Sequence, residues 1–163
     1  MFKNVQFDVN GRPLLKTLSS DGRHFTMLGG PSFVAADGTE YVAPDDGTAT
    51  SDGASTPPIL WTLFGREFLA PFGIYWPAVY WHDGGYQNWL MIRQADGTLK
   101  RANLTKEQSD KLCLEIMEAL KVPWLIRDDI YEGVVLGGAM AFSDDRKNAL
   151  AINLATLAQP QTA

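Results

Sequence analysis

The sequence predicts an α+β domain. A small N-terminal antiparallel sheet occupies about residues 1–50, a helical body of about three helices occupies about 57–142, and residues 143–163 form a C-terminal tail. Three observations predict this division. Asn10-Gly11, Asp21-Gly22 and Asp37-Gly38 punctuate the first third of the chain, and Asn, Asp and Gly accept the positive φ that tight hairpins require. After Pro57 the apolar spacing turns helical,. Thr105 with Gln108 spells a capping box, in which each side chain satisfies a backbone N–H at a helix start,.

Taken in order, the strand-like runs are Val5-Gln6-Phe7, His24 to Leu28, Ser32-Phe33-Val34 and Glu40-Tyr41-Val42. A polar loop rich in Asp, Gly, Ser and Thr runs from Pro44 to Ser55. Pro57 and Pro58 suit a helix start because a proline at the first helical position has no N–H to leave unpaired. Ile74 to Trp89 carries apolar residues at Ile74, Ala78, Trp81 and Trp89, which is helical spacing,. Asp96-Gly97 marks a two-stranded excursion within Leu90 to Leu104,. The capping box opens a helix through about Lys121, and Pro123 starts another from Trp124 to about Phe142. In that last helix Gly133, Gly137, Gly138 and Ala139 form a small-residue face for close approach of another element.

Composition narrows the function classes. Fourteen Lys and Arg against nineteen Asp and Glu leave a net charge of −5. This argues against a nucleic-acid binder tracking phosphates and against a polybasic membrane anchor. A single cysteine, Cys113, excludes an intrachain disulfide and points to a reducing compartment,. With only His24 and His82 beside it, the usual Cys/His zinc site is excluded too,. The apolar stretch from Pro57 to Trp81 is broken by four prolines, Gly65, Arg66 and Glu67, so it does not read as a transmembrane span,. Its aromatic residues, among them Trp61, Phe64, Phe68, Phe72, Tyr75 and Trp76, read as core. The expectation is a soluble, acidic, intracellular domain.

Two segments carry candidate chemistry: the loop Ser51-Asp52-Gly53-Ala54-Ser55-Thr56-Pro57 and the pair His82-Asp83 in a helix. Adjacent helical side chains point about 100° apart, so His82 and Asp83 address different partners. His82 shares a stripe with Tyr75, Val79 and Tyr86, which shields an imidazole from water. Asp110, one turn into the next helix, reaches the far nitrogen of His82 if the two helices pack antiparallel. A carboxylate there fixes the tautomer and orients a water-activating base. Asp83 faces elsewhere, towards Asp52 and the carbonyls around Gly53; such an all-oxygen set suits calcium better than zinc or copper. Each residue also has a structural reading: a core histidine, a helix-dipole acid at Asp110, a turn at Asp52-Gly53, a helix-end charge at Asp83.

Together these segments resemble a phage- and prophage-associated domain of unknown function. It carries a Thr/Ser-Asp-Gly-Ala-Ser-x-Pro loop, a His-Asp-x-x-Tyr helix and an Ala-Asp-containing helix, the last set against Ser109-Asp110, over roughly Tyr41 to Phe142 here. The signature is also remotely similar to bacterial phospholipase A2, whose His-Asp-x-Gly-Tyr-x-Asn helix is matched by His82-Asp83-Gly84-Gly85-Tyr86-Gln87-Asn88. Ala54 and Val79 stand where those phospholipases have cysteines, and the segment around Asp96-Gly97 lengthens the interval between the two helices. The resemblance implies a calcium-dependent hydrolase of esters, lipids foremost. His82 is then the general base, Asp110 its orienting partner, and Asp52, Gly53 and Asp83 the calcium ligands. The alternative it implies is a non-catalytic virion or tail component on the same scaffold, made in the host cytoplasm and joined to other virion proteins through the tail. A third class, metal phosphohydrolases of the His-Asp type, needs more histidines than this chain has.

Overall fold

A computed structural model describes residues 1–6, 14–18, 24–51 and 74–157. Strands β1 (Phe2–Lys3), β4 (Ser32–Val34), β5 (Glu40–Val42), β6 (Met91–Arg93) and β7 (Leu99–Arg101) form one antiparallel sheet in the order β1-β4-β5-β6-β7. β2 (Leu15–Thr17) and β3 (Phe25–Met27) form a separate antiparallel pair bracketing Asp21-Gly22. The α+β class expected from the sequence is therefore present, with two differences in the sheet. The segment Leu90 to Leu104 is a hairpin as expected, but it extends the main sheet, with Tyr41 opposite Ile92 and Val42 opposite Met91. At the other edge the strand is Phe2–Lys3, while Val5 and Gln6 lie outside strands.

Both described hairpins of the main sheet turn on Asp-Gly-Thr. In Asp37-Gly38-Thr39 and Asp96-Gly97-Thr98 the glycines sit at φ 87° and 84°. The Asp Oδ1 accepts from the Thr backbone N–H at 2.8 and 3.0 Å. Asp46-Gly47-Thr48, in the polar loop, repeats the device with 2.9 Å and φ 83°. Glycine supplies the left-handed conformation and the aspartate satisfies the next free N–H, so three residues suffice to reverse the chain.

Three helices are described: α1 (Trp76–Tyr86), α2 (Lys106–Ala119) and α3 (Trp124–Leu157). Every residue of α1 except Asp83 is buried. Its aromatic side chains interlock, Tyr80 lying 5.4 Å from Trp76, 5.5 Å from Trp81 and 5.0 Å from Trp89 between ring centroids. Phe2 from the sheet edge packs on both Phe33 and Trp81, so strand and helix share one core. The helix stops at Tyr86, short of the expected Trp89, because the chain turns left-handed at Asn88 with φ 61°. Asparagine tolerates that conformation through local hydrogen bonding. Thr105 and Gln108 make both bonds of the predicted capping box.

The last helix differs most from expectation. It runs past the expected end at Phe142 to Leu157, so residues 143–157 are helical; residues 158–163 lie outside the described residues. Ala, Leu, Lys and Arg, all good helix formers, dominate much of this stretch, and no proline occurs before Pro160,. Arg146, beyond the expected end, donates from Nη2 to the carbonyls of Gly85 (3.0 Å) and Leu104. That contact ties the extended helix to the end of α1 and the approach to α2. No helix among the described residues is long and apolar enough to cross a membrane.

Candidate functional site

The site is assembled where α1 and α2 touch. Gly85 makes the approach possible: a Cβ there would collide with Ser109 Oγ, the neighbour of Asp110. Side by side in this way, His82 Nε2 and Asp110 Oδ1 stand 3.0 Å apart, both side chains almost fully buried. The same Oδ1 accepts from Tyr86 Oη at 2.8 Å, one turn along α1 from His82. The Tyr86 ring also lies over the imidazole, centroids 4.0 Å apart. Asp110 Oδ2 accepts from Lys106 Nζ at 2.7 Å. The carboxylate is thus bound at both oxygens.

Burial acts to raise the Asp110 carboxyl, but the hydrogen bonds from His82, Lys106 and Tyr86 outweigh it and hold the group below its usual range. An ionised carboxylate only accepts, so the proton between the two residues sits on His82 Nε2 and Nδ1 is left as the basic nitrogen. For His82 the order is similar. Burial pulls the imidazole down, and the carboxylates of Asp110 and Asp83 overcome it, leaving the net shift upward. Burial, then Asp110, push the Tyr86 phenol well above its ordinary value, so it remains a donor.

Asp83 stands on the other side of the ring. Its Oδ1 is 3.7 Å from His82 Nδ1, and the carboxylate adds to the upward pull on the imidazole. Its Oδ2 accepts from Ser51 Oγ at 2.5 Å. Ser51 is pinned by two backbone bonds to Phe25, at 2.8 and 2.9 Å. The chain immediately before Asp52-Gly53 is therefore held against Asp83. Asp52 and Gly53 themselves lie outside the described residues. In type, the Asp83 carboxylate suits calcium, a cation that takes oxygen ligands. Among the described residues, however, no group of three or more His, Cys, Asp and Glu is placed to hold a metal ion.

Of the residues singled out in the sequence, His82 and Asp110 meet, Asp83 lies beside them, and His24 takes no part in the pair. Three participants were not assigned there. The sequence marks Tyr86 only as shielding, although its i+4 spacing from His82 puts both on one face of α1. Lys106 precedes Asp110 by the same interval. Gly138 is where the small-residue face of α3 is used: a Cβ there would strike Tyr86 Oη and lie 3.1 Å from Lys106 Cε. Gly133, in contrast, has nothing among the described residues within 4 Å of its missing Cβ. Phe142 completes the packing from α3, edge-on to Tyr86 at 5.1 Å, with the Arg146 guanidinium 5.0 Å above its ring. The chain matches no family model, no curated protein and no solved structure.

Proposed function

We propose that this protein is a phage-encoded, phospholipase A2-like ester hydrolase, with lipid esters as the substrate class and His82 as general base. The observation that carries the reading is the orientation of His82: Nε2 is engaged by buried Asp110 at 3.0 Å, while Nδ1 faces the side where Asp83 and the Ser51 chain lie. His82 Nδ1 takes a proton from water as the water oxygen bonds to the ester carbonyl carbon. The proton then passes from the imidazolium to the departing alkoxide as the carbon–oxygen bond breaks. Asp110 holds the ring in the required tautomer and stabilises the imidazolium that forms. Tyr86 and Lys106 keep Asp110 in place. Asp83, with Asp52 and Gly53, would hold the calcium ion, whose contribution when bound is polarisation of the carbonyl and stabilisation of oxyanion charge.

The test is phospholipid hydrolysis by wild type and His82→Asn, with calcium and with chelator. Asparagine has similar volume and keeps a hydrogen bond to Asp110, so the fold survives. Loss of a positioned base is expected to lower the rate by about 10²–10⁴-fold. Equal rates in the two proteins would make His82 structural. A folded wild type with no hydrolysis on any ester, with or without calcium, would leave the non-catalytic virion component as the reading to pursue.

A further inference from the structure

Lys106 is in an unfavourable place for a cation. It is the first residue of α2, where the free N–H groups of a helix start disfavour positive charge,. Glu107 beside it has the expected sign. The ammonium is held there by its partners. Its three N–H donors meet three oxygens: Asp110 Oδ2 at 2.7 Å, the Val134 carbonyl at 3.0 Å and the Val135 carbonyl at 2.9 Å,. Both carbonyls belong to α3, three and four residues before Gly138. The missing Cβ at Gly138 leaves the space in which the Lys106 stem passes, with Cε only 3.1 Å from where that carbon would stand.

We propose that Lys106 is a positioning residue for His82, acting through Asp110 and coupling the pair to the seating of α3. The two oxygens of a carboxylate are chemically equivalent, so an aspartate bound on one side only can rotate and exchange them. By occupying Oδ2, the ammonium presents Oδ1 to both His82 Nε2 and Tyr86 Oη. Because its other two donors are spent on α3, that orientation holds only while α3 lies against α2. This deepens the reading of His82 as a general base and rests on it.

The decisive measurement is NMR of the full chain, ¹⁵N-labelled in its histidine rings, at fixed pH. The two histidines are assigned with His24→Gln. In wild type the His82 Nε2–H proton should appear as a low-field resonance protected from solvent exchange. In Lys106→Met, which keeps the stem and loses the ammonium, that resonance should broaden or vanish with the helical circular dichroism unchanged. Lys106→Cys alkylated with bromoethylamine rebuilds the ammonium and should restore it. Cys113 is fully buried and burial raises its thiol, so it stays unmodified in the folded chain. In the hydrolysis assay, kcat should fall in Lys106→Met with KM unchanged. A protected Nε2–H in folded Lys106→Met identical to wild type overturns the proposal, as does failure of the rebuilt ammonium to restore a lost signal. Should Lys106→Met not fold, Lys106→Gln carries the same comparison. The resonance is read without any ester, so a wild type that hydrolyses nothing refutes the hydrolase reading and leaves the part played by Lys106 to the spectrum.

Discussion

Replacing either of two glycines in α3 by alanine should change stability in opposite directions. Gly133 and Gly138 lie on the same helix, and in both cases the change adds one methyl group. At Gly133 that methyl meets nothing within 4 Å among the described residues, so helix propensity decides, and the variant should gain up to about 1 kcal/mol,. At Gly138 the same gain is opposed by collision with Tyr86 Oη and crowding of the Lys106 stem. Overpacking of a closed contact costs about 1–3 kcal/mol. Tyr86 is a rigid ring held at its far end by Asp110, so it cannot move without weakening a hydrogen bond to a charged acceptor, worth about 1.5–3 kcal/mol,. The net expectation is a loss of about 1–3 kcal/mol. For a chain of this size, that lowers Tm by about 2–12 °C, whereas Gly133→Ala should raise it by about 2–4 °C. Thermal unfolding followed by circular dichroism on both variants measures the difference directly. If Gly138→Ala is as stable as Gly133→Ala, α3 does not rest on Tyr86, and the packing described around Asp110 is wrong.

Other consequences follow from the same contacts. Arg146→Met removes the donor to the carbonyls of Gly85 and Leu104 and should cost about 1.5–3 kcal/mol in urea unfolding,. Lys147→Met, which loses one exposed pair with Asp144, should stay within about 0.5 kcal/mol of wild type,. Equal effects would mean that residues beyond Phe142 do not pack on the domain. Glu40 accepts from Ser32 Oγ at 2.7 Å and pairs with Lys3 and Arg93. The bond from Ser32, with help from those cations, holds its carboxyl below the usual range despite partial burial. Because the folded value lies below the unfolded one, its contribution is full above the unfolded value, about 4.3, and is lost as pH falls through the folded value. Glu40→Gln should therefore flatten the acid limb of the stability curve and leave its slope near neutral pH unchanged. Finally, a ligand that binds only the native state stabilises it by about 2.7 kcal/mol at a hundredfold excess over Kd. Calcium should then raise Tm in wild type and do so less in Asp83→Asn; no rise at millimolar calcium removes the calcium part of the proposed mechanism.

Local chemistry was legible in the sequence because its causes lie within a few residues. Asp37-Gly38 and Asp96-Gly97 announce hairpins, since the turn needs only a left-handed glycine and an aspartate to accept the next N–H. Thr105 and Gln108 announce a helix start for the same reason. The pairing of His82 with Asp110 was also readable, once a water-shielded imidazole on one helix was set against an acid on the next. What the tertiary structure alone decided depends on surfaces far apart in the chain. The hairpin at Leu90 to Leu104 became part of the main sheet because β5 offered it an edge across the whole of α1. α1 is buried on nearly every side, so its apolar residues mark no single face, and sequence spacing could neither end it at Tyr86 nor say what covers it,. The role of Gly138 depends on a tyrosine more than fifty residues earlier, and that of Lys106 on carbonyls 28 and 29 residues later. Carbonyls and absent side chains leave no mark on hydrophobic periodicity; only the packing of α3 against α1 and α2 gives them partners.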